Sequence, residues 1–319
     1  MPFGIIGRTG PDVRQGCILA PSLFCAAIDW ILSQCEHTMG ITVGTSRFTD
    51  QDYADDAVLF ADSPARWPEI LIGFDEGADT MGLHTSWTKT KLQNVGCGSA
   101  PLAAHIQGHV VEATEGFTYL DSYIDSSGRS TPEVIRRIGL AASIMSRLTN
   151  VWRQHRLSLA TKLRLYNTLV VSVLLHGAET WTLLQSDEQK VEAFHMTCQR
   201  RIIGVRWYYF VQNTIIAERT GLDSLLSSIR RRRLAICGHV RRLPDATPAH
   251  VALKLAVDVR SGRTLDDDGN GTQWRRPSGR PRYTWVQQLE ADTGLTADDL
   301  WNIASDRDAW RALRPIADQ

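Results

Sequence analysis

At Thr131 the hydrophobic period of this chain changes, and that change limits what the chain can fold into. After Ser130, Thr131 and Pro132, a helix-start signal, Val134, Ile138, Ala141, Met145, Leu148 and Trp152 make one apolar stripe. Residues 161–175, 187–203 and 224–237 keep the same spacing, and residues 298–313, with Leu300, Ile303, Ala304 and Trp310 apolar, predict a last amphipathic helix. Upstream the pattern is mixed. Residues 17–34 predict a helix with Pro21 in its first turn and Leu19, Leu23, Ala26, Ala27, Trp30 and Leu32 near one face. Residues 65–81 predict a second helix, closed by Gly82. Between them, residues 48–60 read as two short strands around an acidic turn, and residues 92–95, 105–106 and 117–124 are further strand candidates. The expected class is α+β, with strands and helices first and helices alone afterwards.

Charge follows the same division. The 319 residues carry 35 Lys+Arg and 35 Asp+Glu, a net charge of zero. Yet Met1–Gly128 holds 6 basic against 16 acidic residues, and residues 129–319 hold 29 against 19. An acidic half followed by a basic half points to metal or substrate chemistry in the first and polyanion contact in the second. A hydrophobic fraction of 43% and a charged fraction of 22% are those of an ordinary packed protein, and exclude a disordered or collagen-like chain. The longest apolar run, residues 169–175, falls far short of the roughly 20 residues a membrane span needs. No secretory signal is visible at the N-terminus, so an intracellular setting is expected. Cys17, Cys25, Cys35, Cys97, Cys198 and Cys237 contain no Cys-x-x-Cys pair and read as buried free thiols.

The sharpest chemical signal is Tyr53-Ala54-Asp55-Asp56, two adjacent carboxylates between apolar strands. Mg²⁺ takes oxygen ligands, typically one or two carboxylates plus substrate phosphates, and a tight turn can aim such a pair into a cleft. By itself the pair reads better as a solvated turn, where aspartates are common.

Arg14-Gln15-Gly16-Cys17-Ile18-Leu19-Ala20-Pro21-Ser22-Leu23-Phe24 precedes that turn, and the two blocks together resemble the reverse transcriptases of non-LTR (LINE-like) retrotransposons. Downstream segments continue the resemblance in order: Gly82-Leu83-His84-Thr85 with Lys89-Thr90-Lys91, then Phe117-Thr118-Tyr119-Leu120, where Asp121 replaces the family's usual glycine and is expected to distort a hairpin. His176-Gly177-Ala178-Glu179-Thr180-Trp181, the stretch from Arg200 to Trp207, and Gly279-Arg280-Pro281-Arg282 are similar to the helical and basic regions that follow. The resemblance implies a partial palm of antiparallel strands and helices over residues 1–128, a helical thumb-like region over 129–210, and a helical, basic region over 211–319 with a loop near 261–281. It further implies that Asp55 and Asp56 are catalytic metal ligands for Mg²⁺, with Mn²⁺ as a substitute. Tyr53 would lie under the primer end, Gln15 and Gly16 would line the nucleotide pocket, and Lys89 would neighbour the phosphates. RNA template and DNA primer are the implied partners, and the nucleus the implied location.

Such polymerases need a further aspartate from an earlier palm strand. Only fifteen residues precede Gly16, their one acid is Asp12, and they are expected to leave no room for that strand. Two adjacent carboxylates cannot supply both sides of a two-metal clamp, so little or no polymerisation is expected. Nucleic-acid contact is the activity expected to survive, through Arg230, Arg231, Arg232, Arg233, Arg241, Arg242, Arg280 and Arg282, because arginine forks match phosphate and stack on bases. The alternative is therefore a non-catalytic nucleic-acid-binding or interaction protein. His195 with Cys198, and Cys237 with His239, have half the spacing of a zinc site, but core packing is the better reading. Trp152, Trp181 and Trp207 are expected to anchor helix packing.

Overall fold

The computed structural model describes residues 2–7, 17–96, 102–263 and 283–313, giving backbone alone for residues 2–7 and for Trp207. The chain divides after Gly128 into two compact units.

The first unit is α+β. Strand β1 (Pro2–Gly7) is followed by helix α1 (Ala20–Cys35), the hairpin β2 (Ile41–Val43) and β3 (Ser46–Phe48), and the hairpin β4 (Asp50–Tyr53) and β5 (Asp56–Leu59). Then come α2 (Trp67–Thr80), β6 (Leu83–Thr85), β7 (Lys91–Leu92), β8 (Ala104–Ile106), β9 (His109–Ala113), and the hairpin β10 (Gly116–Tyr119) and β11 (Ser122–Asp125). The main sheet has the order β4-β5-β1-β6 with antiparallel neighbours, and β7-β9-β8 forms a second sheet whose β7–β9 pair is parallel.

β1 overturns the expectation that no strand fits ahead of Gly16. β5 and β6 would otherwise leave facing rows of unpaired backbone groups, and the short segment Pro2-Phe3-Gly4-Ile5-Ile6-Gly7 pairs with both. The core beneath collects Ile28, Ile31, Leu32 and Cys35 of α1 against Ile70, Leu71, Phe74 and Ala78 of α2, with Ala57 and Leu59 of β5. The buried face of α1 thus differs from the one expected: Leu19, Leu23 and Trp30 are exposed. The helix is apolar almost all round, and the stripe at 28, 31, 32 and 35 has the tighter i, i+3, i+4, i+7 spacing.

The second unit is helical: α3 (Thr131–Arg147), α4 (Thr149–Arg153), α5 (Leu159–Leu165), a π-helical segment (Tyr166–Val171), α6 (Ser172–Leu174), α7 (Gln185–Ile203), α8 (Asn213–Thr220), α9 (Leu225–Arg241), α10 (Pro248–Arg260), α11 (Trp285–Thr293), α12 (Ala297–Ile303) and α13 (Arg307–Leu313). One core gathers Val134, Met145, Trp152, Tyr166, Trp181 and Val191, and a second gathers Leu234, Val257, Val286, Leu289, Leu300 and Trp310. Trp152 and Trp181 pack as expected, while the Trp207 side chain lies outside the described residues. The single helix expected over 298–313 is two, because the Asp306 carboxylate accepts from the amides of Asp308 and Ala309 and so caps a new start. Cys35, Cys198 and Cys237 are buried free thiols; Cys17 and Cys25 are exposed, which corrects the reading for those two, and Cys97 lies outside the described residues. Among the described residues no helix is long and apolar enough to cross a membrane.

Candidate active site and basic surfaces

The acidic pair sits at the tip of the β4–β5 hairpin. Tyr53 pairs with Asp56 and Asp52 with Ala57, so the loop is the two residues Ala54 and Asp55. Ala54 closes it at φ 54, a left-handed conformation that costs alanine about 1 kcal/mol and that packing around the hairpin must sustain. Along β5 burial alternates: Ala57 and Leu59 enter the core, while Asp56 and Val58 are half-buried on the other side. Asp55 and Tyr53 are exposed. Burial, and then the neighbouring Asp55 charge, push the Asp56 carboxyl above the usual carboxylate range, and the Lys89 ammonium partly offsets them.

Two further segments converge on this tip. Lys89 lies in the turn after β6, held where the amides of Lys89 and Thr90 both donate to the Ser86 carbonyl. Tyr119 stands at the end of β10, where burial raises its hydroxyl above the ordinary tyrosine range and the charges of Asp56 and then Asp52 add to the rise. Its buried hydroxyl has no hydrogen-bond partner among the described residues. Sequence reasoning singled out Lys89 and placed Tyr119 only in a segment resembling the family's primer-gripping strand, and it gave Asp52 no part in the site. Their proximity depends on how the β10–β11 hairpin lies beside β4–β5, which no local pattern encodes. That hairpin is regular, contrary to expectation. Leu120 (φ 46) and Asp121 (φ 60) both take the left-handed conformation of a two-residue I′-like turn, which aspartate tolerates.

The donor set is one-sided. Asp55 and Asp56 offer hard oxygen ligands suited to Mg²⁺. Gly4 of β1 stands in register with Asp56, and no residue of β1 is acidic. Among the described residues no group of three or more His, Cys, Asp or Glu side chains could hold a metal ion. Among the described residues, Asp55 and Asp56 would fit one wall of a metal site. Gln15 and Gly16 lie outside the described residues.

The predicted arginine cluster on α9 is largely absorbed by the fold. Arg233, 1% exposed, pairs with Asp292 of α11 and also reaches the Trp181 carbonyl. Arg230 pairs with the same aspartate at 3.3 Å. Burial raises the Asp292 carboxyl even with Arg233 beside it. Arg232 donates to the Leu175 carbonyl at 2.7 Å and Arg231 to the Ser228 hydroxyl at 3.3 Å. Arg241 donates to the Trp301 carbonyl and stacks on its ring at 4.3 Å, and Arg242 donates to the Ala304 carbonyl. All of these but Arg231, whose partner is on α9 itself, hold α9 to its surroundings, so they do not form one free row of guanidinium groups. Arg280 and Arg282 lie outside the described residues. His195 and Cys198 are core residues of α7, and both nitrogens of His195 are engaged, with the Tyr166 hydroxyl at 2.7 Å and the Asp223 carbonyl at 3.1 Å.

Comparison with known proteins places this geometry in a class. The reverse transcriptase (RNA-dependent DNA polymerase) family matches residues 10–122, the span holding the Gln-Gly block, the acidic hairpin, Lys89 and Tyr119. Over most of its length the chain is similar to a transposon-derived protein of Caenorhabditis elegans, 24% identical over 291 residues, which are 85% of this chain and 96% of that protein. Residues 10–122 are thus similar to reverse transcriptases, and they lie within an α+β first unit that is followed by helices.

Proposed function

We propose that this chain derives from the RNA-directed DNA polymerase of a non-LTR retrotransposon, and that by itself it binds nucleic acid without extending a primer. The observation that carries the reading is β1. A carboxylate facing Asp55 and Asp56 would have to stand on the side of β5 away from β4, and the strand there, β1, pairs Gly4 with Asp56 and holds no acid. Mg²⁺ bound by Asp55 and Asp56 would neutralise phosphate charge on one side only. Lys89 would add a cation there, and exposed Tyr53 would offer a ring beneath a primer end. Stabilising both the attacking and the leaving oxygen needs the opposite wall as well. The second unit, with its excess of basic residues, supports retained polyanion contact.

The test is primer extension on an RNA template with Mg²⁺ or Mn²⁺, run beside Asp55→Asn. The expected result is no product beyond that of the variant. Robust extension that Asp55→Asn abolishes would overturn the claim of incompleteness and leave the ancestry intact.

A further inference from the structure

We infer that the second unit carries a stacking platform for single-stranded nucleic acid at the C-terminal end of α7, built from Tyr208, Tyr209 and Phe210 and flanked by Arg147, Arg153 and Arg206. The inference rests on the nucleic-acid reading above and deepens it by placing the contact away from α9.

Three observations converge on this place. The first is aromatic exposure. Tyr208, Tyr209 and Phe210 are 44%, 57% and 84% exposed, and no other run of three consecutive large apolar side chains is so open among the described residues. Tyr208 and Tyr209 meet edge to face at 4.8 Å, and Phe210 stands at φ 50, outside the helical conformation that would fold it back on the preceding turn.

The second is attachment. Arg200, in the last turn of α7, donates to the Val211 carbonyl and to Asn213, both at 2.7 Å, which pins the end of the aromatic turn. The next residue, Arg201, donates to the Thr149 hydroxyl at 2.7 Å and ties the same helix end to the start of α4. Two adjacent arginines thus bring the aromatic turn and the α3–α4 junction to one helix terminus.

The third is charge. No Asp or Glu occurs between Glu133 and Glu179, a stretch with seven Lys and Arg, or between Glu192 and Glu218, a stretch with three Arg. These two acid-free stretches are the ones that meet there. Arg147, Arg153 and Arg206 are exposed in them. Exposed rings joined to acid-free stretches that carry exposed arginines suit unpaired bases with a phosphate backbone, since rings stack on any base while arginines track the phosphates. A duplex hides its base faces and offers the rings nothing to stack on. An apolar protein partner would have no use for the charge.

The test is fluorescence anisotropy of the full chain with a labelled, unstructured 20-nucleotide RNA. Y208A/Y209A/F210A is expected to weaken binding about tenfold or more while leaving affinity for a duplex of the same length nearly unchanged. Tyr209→Trp should hold affinity, whereas Tyr209→Leu, equally apolar, should lower it. R147Q/R153Q/R206Q should flatten the salt dependence by about 2 in the log–log slope, the value for three lost phosphate contacts on a single strand. Wild-type chain that binds no RNA would overturn the nucleic-acid reading itself. Wild-type binding left unchanged by the aromatic variant, with its circular dichroism also unchanged, would overturn the platform alone. A self-association lost in the aromatic variant without loss of RNA affinity would do the same, and would assign the patch to a second copy of the chain.

Discussion

Asp56 carries a conflict between local charge and stability. Its carboxyl is raised by burial and by Asp55, so the folded state holds that proton more tightly than the unfolded chain does. Stability from this group is therefore present in acid and is lost as pH rises through the folded pKa. Asp56→Asn should melt higher than wild type at pH 7, and the gain should vanish towards pH 3, where wild-type Asp56 is itself neutral; melts followed by circular dichroism would check it. A variant that melts lower at pH 7 would mean that Lys89 outweighs burial and Asp55 together. Gly238 poses the opposite case. A Cβ there would come within 2.9 Å of Trp310 Cε2 and closer still to Cδ1 and Nε1. That ring is 1% exposed and donates to the Leu234 carbonyl, so it has nowhere to go. Gly238→Ala should cost about 2–3 kcal/mol in spite of alanine's helix propensity, read from the shift of a urea midpoint. A stabilised variant would mean that α13 is free to move off α9. The hairpin that carries the acidic pair was legible because a polar turn between short apolar runs is a local pattern. The need for glycine at 238 was not, since it is created by a tryptophan 72 residues away.

Helices with long apolar stripes were legible to within a few residues: α3, α7 and α9 are fixed mainly by packing of one face. The shorter ones escaped. α10 begins at Thr247-Pro248 and α11 at Thr284, whose side chain and that of Gln287 form a reciprocal cap, both local signals overshadowed by weak apolar periodicity behind them. The π-helical segment after α5 was not legible either. It buries Tyr166, whose hydroxyl meets His195 Nδ1 across to α7. Because the Asp223 carbonyl can only accept, His195 Nε2 carries the proton and Nδ1 accepts from Tyr166. Burial lowers the His195 pKa below its usual value of about 6.5. The unfolded chain thus binds a proton that this helix pair resists, and stability from the group, full above about pH 6.5, is lost as pH falls through the folded pKa. His195→Gln should be less stable than wild type at pH 8, by about 1–3 kcal/mol for a disturbed buried hydrogen-bond pair, and the gap should narrow by pH 5. A gap independent of pH in paired denaturant titrations would show that the imidazole's charge state has no part in joining α7 to the π segment.

At the scale of the molecule, the boundary after Gly128 coincides with the change in hydrophobic period and with the reversal of charge. Among the described residues, the buried residues of the first core run from Ile28 to Val111, and those of the other two cores from Val134 to Trp310, so each half has a core of its own. A piece comprising residues 129–319 should therefore fold alone, with helical circular dichroism and a cooperative urea transition. It holds 29 basic and 19 acidic residues, whereas the half it leaves behind holds 6 and 16. If phosphate contact resides in the basic half, removing a net-acidic segment from the same molecule reduces long-range repulsion of a polyanion without removing a contact. The fragment should bind single-stranded RNA at least as tightly as the full chain. The slope of log affinity against log salt should be the same in both, since that slope counts phosphates contacted and not net charge. A fragment that folds but has lost its affinity would move the contact into residues 1–128, where it would have to be made by six basic side chains against sixteen acids.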